Sequence, residues 1–434
     1  MGCAKTAIFL ALFLKLLLIG ANSDDGQRHN LIILLIDGYG SDLFNKTDPK
    51  LQDAASELIR NGVRADMKPV FPTQSYPNWY SLATGLYVEN HNMTSDFMYD
   101  PERHVFFQRD QGVNDTDYQW WTGGPDPFYY TVGRAGIDVH CHLFSSCHRP
   151  HVDMLIKVPQ NRQHSFKNED TYDLFAHIPK IMRHVSRYQQ YRQQLVLLNY
   201  PNLAKTLRLF GENSDAGKQA LSSADAQIRK IQDAMVEHDL FSTTNLLVLS
   251  SFGLKEISEE QQYFIEECFA DVSKVKRVVN SLSHMFVYPE EGQEDTVYFE
   301  LRVCDQWAME SDYDENEAQL VSVYRKAEIP ERYHWKHARF ISPIVLIARP
   351  GAILLTSQIP STEISEAQGR ELRMLSGWDN EDVQMQGLFL ARGPAFKPDY
   401  ISPPIEIVDV YELSLKLLGL SAKNPHNGTW ENVA

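Results

Sequence analysis

Three short runs, "NLIILLID" at 30–37, "QLVLLNY" at 194–200 and "NLLVLSS" at 245–251, are apolar at nearly every position rather than at every second one. A strand with one wet face alternates, so a strand that is apolar throughout must be buried on both faces, as the central strands of a helix-covered parallel sheet are. Further candidate strands at 62–71, 284–289, 297–302, 340–349 and 387–392 alternate with helical patterns. That alternation predicts an α/β fold with a mostly parallel central sheet and helices on both faces. Two helices read clearly. The stretch 222–240 places Ile228, Ile231 and Met235 on one stripe with Ser223 or Asp225 as its cap, and 402–420 places Val408, Tyr411, Leu415 and Leu418 on another.

The first 23 residues do not fit that sheet. Lys5 precedes an apolar run from Ala7 to Ile19, broken by Lys15, and the small residues Ala21 and Ser23 follow. This is the pattern of a secretory signal peptide, with a signal anchor as the other reading. No later segment reaches the ~20 apolar residues of a membrane span, and the closing "NGTWENVA" carries no hydrophobic tail for a glycolipid anchor. A secreted, extracellular protein is therefore expected, with residues 24–434 as a single domain; no linker or repeat divides them.

Cysteine usage agrees with an oxidising compartment. Once Cys3 leaves with the leader, Cys141, Cys147, Cys268 and Cys304 form an even set, and Cys141 with Cys147 and Cys268 with Cys304 are the expected pairs. Glycosylation sequons stand at Asn45, Asn92, Asn114 and Asn427. Loss of Lys5 and Lys15 takes the formal net charge from −16 to −18. The acid is dispersed, apart from "EEGQED" at 290–295 and "ESDYDENE" at 310–317, so nucleic acid and anionic membrane are poor partners.

In open α/β sheets the active site lies beyond the carboxyl ends of the strands. Asp37 ends the first strand, and Ser75 opens a helix in "KPVFPTQSYPNWYSLATGLY" with Gly85 after its last turn. A hydroxyl at a helix N-terminus faces unpaired N–H groups and the positive end of the dipole, a setting that suits a phosphate. On the residues alone a helix cap is the stronger reading of Ser75, and a nucleophile the other.

The blocks "LIDG", "FPTQSYPNWYSLATGLYVENHNM", "MYDP", "GWDN", "LARGPAFK" and "VDVYELSLKLLGLSAKNPHNGT" spread in order from residue 35 to 429. They resemble the ectonucleotide pyrophosphatase/phosphodiesterase family, which implies an alkaline phosphatase-like fold and phosphodiester hydrolysis with two zinc ions. Ser75 before "YPN", together with "GWDN", is similar to the choline-phosphodiester branch. The resemblance implies a site of three Asp, three His and a nucleophile hydroxyl. Asp37 matches the first metal Asp and Ser75 the nucleophile; the other positions depart. Where the family has Pro-Asp and a His four residues later, "YPNLAKT" gives Asn202 and Thr206; where it has Ser-Asp-His-Gly, "LSSFGL" gives Ser251 and Phe252; where a His precedes "GWDN", Ser376 stands. Asp96 replaces an Asn that donates to a phosphate oxygen, and an ionised carboxylate accepts rather than donates.

Zinc sites need at least three protein ligands, imidazole prominent among them, and a serine hydroxyl at neutral pH needs a base or an ion to activate it. Local realignment does not restore the ligands: 195–217 holds no His and only Asp215, and 242–257 holds neither Asp nor His. The expected reading is a pseudoenzyme without cofactor that binds an unidentified ligand or protein partner. The alternative is a metal-dependent phosphodiesterase with Ser75 as nucleophile, in which Asp37, Ser75, Asp96, Asn202, Ser251 and Ser376 give magnesium or calcium an oxygen-only cluster.

A separate candidate is "HCHLFSSCHRPH" at 140–151, a transition-metal loop if its cysteines are free and an ordinary disulfide loop if they are bonded. His334 and His337 lie outside the matched blocks and read as structural. The aromatics Tyr76, Trp79, Tyr80, Trp120, Trp121 and Trp378 read as core, with a choline- or nucleobase-binding pocket as the other possibility.

Overall fold

The computed structural model describes residues 29–108, 117–121, 126–144, 147, 156–157, 173–310, 320–359, 361–362 and 372–433. The leader, Asn114, His148, His151 and 311–317 of the acidic stretch lie outside them. The main strands are β1 (Asn30–Leu35), β2 (Val63–Lys68), β3 (Asp138–His142), β4 (Ile156–Lys157), β5 (Gln194–Asn199), β6 (Thr244–Ser250), β7 (Val275–Asn280), β8 (His284–Pro289), β9 (Val321–Arg325), β10 (Ile344–Ala348) and β11 (Gly387–Arg392). The main helices are α1 (Ser41–Lys46), α2 (Asp53–Arg60), α3 (Ser75–Thr84), α4 (Phe128–Arg134), α5 (Leu174–Tyr188), α6 (Asn202–Phe210), α7 (Asp215–Glu237), α8 (Glu294–Glu310) and α9 (Asp409–Leu417).

The large sheet is ordered β2, β11, β6, β1, β5, β3, β4, with the short strands Tyr400–Ile401 and Ile405–Glu406 beside β2. Pairing is parallel from β6 through β1, β5 and β3 to β4, and β11 runs antiparallel to both its neighbours. The three all-apolar runs occupy the middle of this sheet, as their composition requires. Leu31, Ile33 and Leu35 join Leu195, Leu197, Leu247 and Leu249 in a core shared with α3, α4 and α9. Ile32 and Leu34 join Val196, Leu198, Leu246 and Val248 in the core of the opposite face, shared with α1, α2, α5, α6 and α7. Among the described residues no helix is long and apolar enough to cross a membrane.

Candidate strands 284–289 and 340–349 belong elsewhere. They form β8 and β10 of a second sheet, ordered β9, β10, β8, β7 and Ser361–Thr362, antiparallel except at its last pairing. The candidate strand 297–302 is corrected outright, since it lies within helix α8. Val297 and Leu301, four residues apart, are fully buried, while Phe299, which a strand would place on their face, is 68% exposed. Period 3.6 wins over period 2, helped by Glu294 and Asp295 at the positive end of the helix dipole.

Helix α7 starts earlier than the sequence suggests. Ser214 Oγ caps it by accepting from Gly217 N at 2.9 Å. Asp225 serves a different helix: its two carboxylate oxygens accept from Ala54 N and Ala55 N, both at 2.9 Å, in the first turn of α2. The C-terminal stripe behaves as read, with Val408, Tyr411, Leu415 and Leu418 all buried. Both expected disulfides, Cys141–Cys147 and Cys268–Cys304, are formed.

Candidate functional site

The site is built where β1, β5 and β6 end. Asp37 follows β1 by two residues, Asn202 opens α6 after β5, and Ser251 directly follows β6. Gly38, at φ +80°, turns the chain away; a Cβ there would sit 3.1 Å from Ala204 of α6 and 2.9 Å from Leu254.

Ser75 begins α3, whose ten residues are all buried. Asn78 fixes the approach to this helix. Its Oδ1 accepts from Val70 N at 2.8 Å, and its Nδ2 donates to Gln74 O at 2.9 Å and Pro72 O at 3.1 Å. Pro77 needs no donor in a first turn. Gly85 ends the helix at φ +68°, where a Cβ would strike the Tyr411 ring at 2.8 Å.

Asp37 is 3% exposed, and both its oxygens are engaged by the protein. Oδ2 accepts from the Trp79 indole Nε1–H at 2.8 Å, one turn along α3 from Ser75. Oδ1 accepts from the Ser251 hydroxyl. Asp96 is equally buried, and its Oδ1 accepts from Tyr76 N at 2.8 Å, so its carboxylate is the anion seated on the first turn of the Ser75 helix. Gln74 Oε1 accepts in turn from Asp96 N and Ser95 Oγ, both at 2.9 Å.

The remaining positions are put to structural use. Phe252 is fully buried in the core beneath α6 and α7. The Ser376 hydroxyl, 2% exposed, accepts from Nη2 of Arg208 at 3.3 Å, and Arg208 is itself 7% exposed, a buried cation on α6. Thr206 is half-buried and Asn202 is exposed beside Tyr200. The structure thus joins Asp37 to Ser251, Asp96 to the Ser75 helix and Ser376 to Arg208. Among the described residues no group of three or more His, Cys, Asp or Glu side chains is arranged to hold a metal ion. A zinc pair does not fit Asp37, Ser251, Phe252 and Ser376, which together offer one carboxylate and no imidazole.

Two buried histidines escaped the sequence reading. His284, at the start of β8, contacts Ser95 Oγ through Nε2 at 3.1 Å, which links it through Ser95 to Gln74, the residue before Ser75. Burial holds its pKa down to about 3. His91 lies 2.9 Å from Ser81 Oγ and resembles a nucleophile–base pair. Met93 N donates to His91 Nδ1 at 3.1 Å, however, so the neutral ring carries its proton on Nε2 and donates to Ser81, the wrong tautomer for a base. A lone buried histidine leaves little trace in sequence. Trp79 and Arg208 escaped because nothing at sequence level shows that they reach Asp37 and Ser376.

The other expectations settle simply. Tyr76, Trp79, Tyr80, Trp120, Trp121 and Trp378 are core residues, each at most 4% exposed. His334 stacks on Tyr87 at 4.0 Å and faces Glu89, and His337 faces Glu331. Cys141 and Cys147 are bonded to each other, which removes the thiolates a metal loop needs.

A family model described as type I phosphodiesterase / nucleotide pyrophosphatase matches residues 31–379. The chain belongs to this family. It is 27% identical to human ectonucleotide pyrophosphatase/phosphodiesterase family member 5 over 416 residues, 94% of this chain and 78% of the relative. It is 26% identical to a Xenopus laevis bis(5'-adenosyl)-triphosphatase over 431 residues, 95% of this chain and 83% of the relative. Among solved structures, murine ectonucleotide pyrophosphatase/phosphodiesterase 5 superposes with a TM-score of 0.78 at 25% identity, covering 93% of this chain and 98% of that one. An inactive form of the same murine protein in complex with AMP superposes at 0.79.

Hydrogen bonds wire the family blocks of this chain to one another. Thr73 of "FPTQS" donates to Trp378 O at 3.1 Å and accepts from Gly377 N at 2.8 Å, joining the loop before α3 to "GWDN". Asp379 of the same block accepts from Arg332 Nη1 at 2.8 Å; burial pushes its carboxyl up, but the hydrogen bonds from Arg332, Glu381 N and Tyr333 and the Arg332 charge together hold it below the usual range. Ser75 Oγ is buried and makes no hydrogen bond. Ser75→Ala is therefore expected to leave stability unchanged or raise it by up to ~1 kcal/mol, since Ala is the better helix former and the buried hydroxyl is removed. Urea unfolding of the two proteins measures this; a loss above ~1 kcal/mol would show that the hydroxyl has a partner.

Proposed function

We propose that this chain is a pseudoenzyme of the phosphodiesterase family, a secreted fold that binds a ligand or partner without hydrolysing phosphodiesters. The observation that carries the reading is the engagement of both Asp37 oxygens by Trp79 and Ser251. A metal there would have to displace two buried hydrogen bonds, and Phe252 and Ser376 offer it no compensating imidazole. Asp96 supports the same reading from the substrate side, because a phosphate approaching the Ser75 helix meets a carboxylate already seated there.

Extracellular residence is supported by the two disulfides and by the exposure of Asn45 and Asn427; Asn92 is only half-exposed, its Oδ1 accepting from Arg339 N. We read residues 24–434 as one phosphodiesterase-like unit behind a leader at 1–23.

The test is metal content and turnover of the glycosylated protein purified without chelators. Expected are a trace of zinc, a melting temperature indifferent to EDTA, and no hydrolysis of diadenosine triphosphate or p-nitrophenylphosphorylcholine, with or without millimolar calcium and magnesium. A tightly bound zinc pair would raise the melting point through mass action and lose that gain on chelation. Two zinc ions per chain, or turnover abolished by Ser75→Ala, would overturn the reading.

A further inference from the structure

A cavity of about 530 Å³ opens between the outer strands β3, β4 and β5 and helix α5. It lies on the face of the large sheet opposite α3: its floor residues Val196, Ile181 and Val185 belong to the core of the α5 side, whereas Ser75's helix packs into the other core. Its volume lies within the usual range of small-molecule sites.

The pattern that makes it is local to the sheet edge. In register, His140 pairs with Val196 and His142 with Leu198. The face that is apolar on β5 becomes imidazole on β3, while Val139 and Cys141 turn to the opposite core. Helix α5 answers with His177 and His184, about two turns apart on the same side, and the His140 and His184 rings meet edge to face at 4.7 Å.

Around this floor stand Lys157, Lys180, Arg183 and Arg187, and no carboxylate is among the described lining residues. Lys157 is partly neutralised by Asp138 at 2.6 Å. Among the described residues no carboxylate pairs with Lys180, Arg183 or Arg187. Three cations along one helix, in a chain of formal net charge −16, form a local field opposite in sign to the whole. Guanidinium forks match phosphate and sulfate oxygens in bidentate fashion, and the apolar floor with Tyr188 suits a flat carbon body.

We propose that this cavity binds an organic phosphate or sulfate ester, its anionic head on Arg183 and Arg187 and its apolar body over Val196 and Ile181. This site is independent of the residues around Ser75 and stands whether or not they catalyse.

Binding should strengthen as pH falls. Burial, then the charges of His184 and Lys157, hold His140 down to about 4, opposed by the Gln194 hydrogen bond and the Asp138 charge; burial, Lys157 and Arg187 lower His184, again opposed by Asp138. Arg192 also reaches Asp138. A bound anion favours the imidazolium form, so it takes up protons and binds more tightly in mild acid.

The experiment is titration calorimetry of the full chain with 1-naphthyl phosphate and 1-naphthyl sulfate, with 1-naphthol and inorganic phosphate as half-ligands. Expected are saturable binding of at least one ester, at least tenfold weaker binding of each half-ligand, and an affinity at least threefold higher at pH 6.0 than at pH 7.5. The exposed double variant Arg183→Glu/Arg187→Glu should weaken the ester at least tenfold with an unchanged melting temperature, and His140→Gln should flatten the pH dependence. Phosphate tighter than sulfate identifies a dianionic head, and the reverse a sulfate. No saturable binding of either ester, or binding indifferent to the double charge reversal, overturns the proposal.

Discussion

Ser251→Asp is expected to lower the unfolding free energy by about 3 to 5 kcal/mol at pH 7. Ser251 is fully buried and its hydroxyl donates to Asp37 Oδ1. The substitution removes a donor and puts a second carboxylate against the first. Like charges in a buried site raise the pKa of the pair. A carboxyl whose native pKa is raised above its unfolded value destabilises once pH rises past the unfolded value, and the loss is relieved as pH falls below the usual carboxylate range, where the pair holds its proton. The variant should therefore recover in mild acid relative to the parent. Saturating zinc should restore little of the loss, because Phe252 and Ser376 still supply no imidazole. Urea unfolding across pH, with and without zinc, measures both effects; a variant as stable as the parent at pH 7 would show that a cation already lies between the two positions.

The parent protein is expected to lose about 5 kcal/mol of stability between pH 7.5 and pH 4.5 through two histidines remote from any exposed surface. His91 and His284 are fully buried, and burial holds each down to about 3 from an ordinary 6.5. The unfolded chain takes up these protons near pH 6.5, whereas the native fold refuses them until about 3. Stability from this source is thus complete above about 6.5 and is lost as pH falls, by ~1.4 kcal/mol per unit for each histidine. Asp379 extends the loss below the usual carboxylate range, because its lowered pKa stabilises only while it is ionised. A decline of this size is comparable to the whole stability of many domains. Urea unfolding at the two pH values, repeated on His91→Gln and His284→Gln, should show a steep dependence in the parent and a shallower one in each variant. Equal stability at pH 7.5 and 4.5 would refute it.

Much of the fold was legible because burial on two faces leaves a composition that no other element shares. The all-apolar runs at 30–37, 194–200 and 245–251 read as central strands, and they are. The run at 297–302 misled because Val297, Phe299 and Leu301 satisfy period 2 while Val297 and Leu301 also satisfy period 3.6; exposure of Phe299 decides, and exposure is a tertiary fact. Likewise Asp225 reads as a cap for its own helix but caps α2, since a carboxylate side chain reaches whichever free N–H groups packing brings near.

That Asn202, Thr206, Ser251, Phe252 and Ser376 offer a metal neither an imidazole nor a carboxylate follows from the sequence, because a residue's identity fixes its donor atoms. The partners found at the site were decided only by the tertiary structure. Trp79 and Ser251 reach Asp37 from different elements, Arg208 reaches Ser376 across 168 residues, and Asp96 seats its carboxylate on the Ser75 helix. The cavity beside α5 divides in the same way: the alternation in "DVHCH" sets His140 and His142 on one face of a strand, but only packing opposes them to the histidines and cations of a helix more than thirty residues away. Local chemistry is written along the chain, whereas partners are chosen by the fold, since a hydrogen bond or ion pair depends on distances that residues far apart in sequence acquire only when the core closes.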